Sequence, residues 1–142
     1  MKLYIQRIHP AAKLPAYAYE GDAGMDLFSV EDMTIAPGEK VLVATGLKLA
    51  VPPGHGGFVW DKSGIATKHH IKTMAGVVDS NYRGELKVAL TNLGAESYEV
   101  KSGEKLAQLV IKPVATPEIE EVEEIEANDV RGEKGFGSSG MV

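Results

Sequence analysis

The stretch GVVDSNYRGE (76–85) runs two valines into an aspartate and then into a polar turn that carries a tyrosine. Val77 and Val78 suit a buried strand, Ser80 and Asn81 favour a turn, and Gly84 lets the backbone enter a following strand. The segment is therefore predicted to be a hairpin with Asp79 at its edge. An ionised carboxylate fixed at a rigid strand end can hold and polarise a water molecule and accept its proton. The same aspartate can equally be a turn former that only accepts local backbone N–H bonds. The hairpin by itself leaves both readings open.

Three other stretches carry groups suited to anions. WDKSGIA (60–66) sets a cation, a hydroxyl and a glycine in succession, and backbone N–H groups around a Ser-Gly turn form a nest for phosphate oxygens. Its plainer reading is an ordinary turn capped by Ser63. GDAGMDLFS (21–29) places Asp22 and Asp26 around a glycine and is weak alone. RGEKGFGSSG (131–140) offers charge from Arg131 and Lys134, hydroxyls from Ser138 and Ser139, glycines that let backbone wrap a ligand, and Phe136 for stacking on a planar ring. It has neither the spacing nor the strand-to-helix context of a Walker A or dinucleotide motif. Ser63 lacks the histidine and acid partners of a nucleophile. His69 and His70 are adjacent and would face opposite ways in a strand, which disfavours a shared metal. Trp60 is expected in a core or an interface.

The elements that must position these groups are strands. Sixteen glycines and seven prolines cut the chain into short segments rich in Val, Ile and Leu. Residues 2–8, 33–52, 56–62, 84–94, 98–114 and 118–125 are predicted strands, with at most a short helical turn in SGIATKHH (63–70). In ELKVAL the apolar Leu86, Val88 and Leu90 alternate with Glu85 and Lys87. Such a pattern implies an all-β, antiparallel sandwich or jelly roll. PEIEEVEEIEAND (117–129) is ambiguous, because Ile119, Val122 and Ile125 recur every three residues among seven acids, as a helix stripe or a strand would allow. The glycine-rich residues 131–142 have the composition of a flexible tail beyond a domain spanning 1–130.

Composition narrows the function classes. A chain of 142 residues is one domain by length, burying roughly 68–70% of its extended surface. The absence of cysteine removes thiolate chemistry and disulfides and fits a reducing compartment. A formal net charge of −5 argues against coating nucleic acid, without excluding a local basic pocket. The apolar runs are too short to span a bilayer, and MKLYIQRIHP lacks a signal-peptide apolar block, so no membrane partner is expected. The expected setting is the cytoplasm, or the nucleus for a eukaryotic or viral source.

In order, AGMDLFS, DKSGIA, AGVVDSNYRGE, GEKLAQLVI and RGEKGFGSSG resemble the five motifs of the homotrimeric deoxyuridine triphosphatases, the dUTPases, and they span residues 23–140. The resemblance implies a jelly-roll-like β domain (a β-clip), a homotrimer with active sites at its interfaces, and exchange of the C-terminal tail, which closes over a site built by the other two subunits. It also makes the acidic segment a strand and crossover leading to that tail. It implies hydrolysis of dUTP to dUMP and pyrophosphate with Mg²⁺, a reaction that limits uracil in DNA and supplies dUMP for dTMP synthesis.

By the resemblance, Asp79 holds the water that attacks the α-phosphorus, and Asp26 supports the water shell of a Mg²⁺ held mainly by the phosphates. Tyr82 lies against the deoxyribose and leaves no space for a 2′-hydroxyl. Backbone from Ala75 through Gly76 to Val78 reads the uracil edge, a mode in which mispaired polar groups discriminate strongly. Lys62, Ser63, Gly64 and Gln108 match phosphate contacts. In the tail, Arg131, Gly137, Ser138 and Ser139 match substrate contacts and Phe136 the group that stacks on uracil. Lys62 and Lys105 stand where the family usually has arginine, which exchanges a bidentate fork for a point charge. Glu104 likewise stands where aspartate is common. Two other readings remain at this stage: a dCTP deaminase of related fold, which would release ammonia, and a nucleotide-sensing regulator that binds without turnover.

Overall fold

A computed structural model describes residues 1–142. Its elements are β1 (Tyr4–Arg7), β2 (Met25–Phe28), β3 (Met33–Ile35), β4 (Lys40–Ala50), β5 (His55–Asp61), α1 (Ser63–His69), β6 (Ile71–Met74), β7 (Val77–Val78), β8 (Glu85–Asn92), β9 (Tyr98–Val100) and β10 (Lys105–Pro113). Two four-stranded antiparallel sheets, ordered β1-β4-β8-β6 and β2-β10-β5-β7, share one core, and β3 pairs with β9 in a small ribbon. The all-β, jelly-roll-like expectation holds, as does the short helical turn at 63–69.

Period-two alternation builds the core. In β8 Leu86, Val88 and Leu90 are buried, and they meet Leu27 of β2 and Leu109 of β10 from the other sheet. Each such side chain contributes about 1.5–3 kcal/mol on full burial. Two long predicted strands are each divided. Residues 33–52 break at the Pro37-Gly38 turn into β3 and β4, and 98–114 break at Ser102-Gly103 into β9 and β10.

Two expectations need correction. Residues 118–125 form neither strand nor helix: Ile119 and Ile125 are 95% and 85% exposed. A lone strand needs a partner edge and a short helix needs a packing surface, and an arm of like charges finds neither on its own domain. The segment 76–85 is not a hairpin, because β7 pairs with β5 whereas β8 pairs with β4 and β6. The chain changes sheets twice here. Ala75 and Gly76, at φ 57° and 111°, turn it out of one sheet into the other, and residues 79–84 carry it back. Gly76 is required at this kink, since a Cβ there would lie 2.8 Å from the Val59 carbonyl oxygen.

Candidate active site

The double change of sheet opens a cleft of about 550 Å³ lined by Ala75, Gly76, Val78, Asp79 and Tyr82 on one side and β8 on the other. The pairing of β6 with β8 ends at Met74 opposite Ala89. From Val88 back to Glu85, that edge of β8 has no strand beside it, so the cleft wall offers backbone groups that stand outside any sheet ladder. Val78 is buried at the cleft floor, and Asp79 is exposed where the strand ends. The turn that follows is held by its own bonds. Tyr82 N–H donates to the Asp79 carbonyl at 3.1 Å, and the Tyr82 hydroxyl donates to the Glu85 carbonyl at 2.9 Å. Arg83 Nη1 donates to the Ser80 carbonyl at 2.7 Å.

A second cluster lies on the outward face of the sheet β2-β10-β5-β7. Gln108 of β10 stands in register between Asp26 of β2 and Trp60 of β5. Its side chain fills the space that a Cβ at Gly24 would need, so motif order along the chain becomes contact across strands. Asp26 is 3% exposed, and its two oxygens pair separately, Oδ1 with Lys62 Nζ at 2.7 Å and Oδ2 with Lys105 Nζ at 2.9 Å. Burial pushes the Asp26 carboxyl up, but the bonds and charges of both ammonium groups outweigh it and hold the group below its ordinary value. One carboxylate between two cations leaves a net positive patch, suited to a polyanion.

Lys62 is also the N-cap of α1, extended and without a side-chain cap bond, so Ser63 does not cap the helix as the plain reading of 60–66 would have it. Ser63 and Gly64 open the helix, where the first amides have no intrahelical acceptor. Trp60 is 55% exposed on the outer face and so is not a core residue.

None of Asp26, Lys62, Ser63, Gly64 or Gln108 lines the Asp79 cleft. The tail meets neither cluster. Arg131 Nε donates to the Lys134 carbonyl at 2.7 Å, Ser138 N–H donates to the Gly135 carbonyl at 3.1 Å, and Phe136 is fully exposed beside Gly137 and Ser139. The sequence-nominated residues thus form three separate groups within one chain. Two partnerships were not visible in sequence. The pairing of Lys105 with Asp26 depends on the register of β10 against β2, and Asp61 binds Thr73 across α1. Only the DK pair at 61–62 hints at either.

The dUTPase family model matches residues 11–140 of this chain. The deoxyuridine 5'-triphosphate nucleotidohydrolase of Clostridium kluyveri is 49% identical over 144 residues, covering 100% of both chains. Its counterpart from Clostridium novyi is 46% identical over 143 residues, covering 99% of this chain and 100% of the relative. Among solved structures, the dUTPase of Staphylococcus bacteriophage 80alpha with dUpNHpp has a TM-score of 0.92 at 32% identity, over 98% of each chain. A variant dUTPase from phage phi11 of S. aureus, with a coordinated structural Mg(II) ion, has a TM-score of 0.82 at 29% identity, over 87% of this chain and 98% of that one. With the five ordered motifs on the strands and turns described, the chain belongs to the dUTPase family.

Proposed function

We propose that this protein is a dUTP diphosphatase that cleaves dUTP to dUMP and pyrophosphate, limiting uracil in DNA and supplying dUMP for dTMP synthesis. The observation that carries the reading is the family match along nearly the whole chain, and the geometry of the cleft agrees with it. Uracil fits between the kink at Ala75–Val78 and the unpaired edge of β8, where fixed N–H and C=O groups can read its O4 and N3–H. Tyr82, tethered through its hydroxyl, stands at the mouth of the cleft to meet the deoxyribose.

Asp79 then orients a water toward the α-phosphorus and accepts its proton as the new P–O bond forms. The α–β bridging oxygen leaves with pyrophosphate. Positioning and charge neutralisation supply most of the rate in phosphoryl chemistry, so Asp79 need not be a strong base. Lys62, Ser63, Gly64 and Gln108 bind the phosphates.

The chain fits a Mg²⁺ that arrives with the nucleotide. No group of three or more acidic or histidine side chains converges to cage a metal, and a hard cation on a triphosphate keeps waters in place of a cage. Asp26 would reach that cation through water, since each paired oxygen retains a second lone pair. When bound, Mg²⁺ would neutralise phosphate oxygens.

Because the cleft, the phosphate cluster and the tail do not meet within one chain, the reading includes a homotrimer whose interfaces assemble them. Residues 131–142 of one subunit would close over a site of the other two, with Arg131, Gly137, Ser138 and Ser139 on the nucleotide and Phe136 on uracil. The exposed arm at 118–125 would find its partner surface on a neighbouring subunit.

The test is chromatographic product analysis with Mg²⁺ and, separately, dUTP, dCTP, dTTP and UTP. Only dUTP should fall, yielding dUMP and pyrophosphate. Ammonia and a uracil product from dCTP would establish a deaminase instead, and binding without turnover a sensor.

A further inference from the structure

The chain leaves β5 at Asp61, runs through α1 and returns in β6, which belongs to the other sheet. The seven-residue helix has no buried residue, no side-chain cap and no acid in its first turn. A helix this short does not hold itself. Ile65 of the helix packs, half-buried, against the core, and what closes the neck of the excursion is the Asp61 side chain. Its Oδ1 accepts Thr73 N–H and Thr73 Oγ1–H, each at 2.7 Å, and Lys72 Nζ lies 2.9 Å from Oδ2. The Asp61 main-chain carbonyl accepts Gln108 Nε2 at 3.4 Å. A single residue therefore ties together the end of β5, Lys72 and Thr73 of β6, and Gln108, immediately before Lys62, Ser63 and Gly64.

We infer that Asp61 is a positioning residue: it closes the neck of the α1 excursion and so holds the Lys62–Gly64 turn and Gln108 in the arrangement that grips the outer phosphates of the substrate. The inference rests on the dUTP reading above for its ligand, and on the neck geometry for its mechanism. Burial raises the Asp61 carboxyl, but the Thr73 bonds and Lys72 outweigh this and keep it below its ordinary value, so the neck is a charge-assisted one at neutral pH.

Two measurements on the full-length protein test this. Asp61→Ala should speed amide exchange at Ala66 in the helix and at His70, its C-cap, by about tenfold, the expected loss for charge-assisted bonds, and leave Val88 in β8 unchanged. The same variant, with Mg²⁺ present, should bind the non-hydrolysable dUpNHpp about tenfold more weakly while binding dUMP, which lacks the outer phosphates, as before. Asp61→Asn keeps a carbonyl acceptor for Thr73 but loses the charge that strengthens those bonds and pairs with Lys72, and should recover part of both losses. Should Asp61→Ala fail to fold, Thr73→Val removes one bond and keeps the backbone one, and should move both readouts the same way by about threefold. Unchanged helix exchange, or equal weakening of dUpNHpp and dUMP, would overturn the inference. If the unaltered protein binds neither nucleotide, the functional reading fails, and the exchange comparison still decides whether Asp61 holds the turn.

Discussion

Asp79 stands exposed at the end of a two-residue strand whose other side is core, so its backbone is rigid while its carboxylate is free to meet water. Asp79→Asn preserves shape and removes proton acceptance; turnover of dUTP should fall about 10²–10⁴-fold, with dUpNHpp affinity kept, as calorimetry and steady-state kinetics would read. Asp26 works in the opposite way, as a buried anion that organises two lysines. Its carboxyl is lowered in the folded protein, as is that of Asp61. A depressed carboxyl contributes stability that is fully present above the unfolded value and lost as pH falls through the lower folded one. Thermal midpoints should therefore be flat above about pH 5 and drop steeply below about pH 4. Asp26→Asn should lower the neutral-pH midpoint and flatten that acid limb.

The informative element is the kinked run from β6 to β7. Without left-handed conformations at Ala75 and Gly76, β6 would continue along β8 and cover the edge that forms the cleft wall. Gly76→Ala forces a Cβ toward the Val59 carbonyl at a strained φ, which should destabilise the fold by about 1–3 kcal/mol. The thermal midpoint should fall by several degrees and KM for dUTP should rise. The tail is an element of another kind, since its hydrogen bonds are local and its apolar group is in solvent. Deleting residues 131–142 should leave the thermal midpoint nearly unchanged while suppressing kcat/KM.

For the whole molecule, one core joins both sheets. Leu109→Ala, at a fully buried position, should cost about 2–5 kcal/mol by denaturant titration. Assembly has its own test. Mixing the tail-deleted chain with the Asp79→Asn chain should restore part of the activity, because mixed trimers would contain sites with an intact Asp79 and an intact tail from different subunits. Mixed trimers verified by mass spectrometry yet inactive would count against tail exchange, and a monomer by sedimentation would count against shared sites altogether.

Much of this was legible in the chain itself. Period-two alternation in β8, glycine and proline punctuation and five ordered motifs determine an all-β domain, its family and the chemical character of each nominated side chain, because these depend on residue type and local spacing. Sequence could not tell that Val77-Val78 and Glu85–Asn92 enter different sheets, since turn chemistry at 79–84 suits a hairpin and a crossover alike. Nor could it show that Lys62 and Lys105 share Asp26, or that Asp61 reaches across a helix to Thr73. Those contacts depend on strand register and on the angle at which the chain changes sheets, and both are decided by how the two apolar faces close over one core.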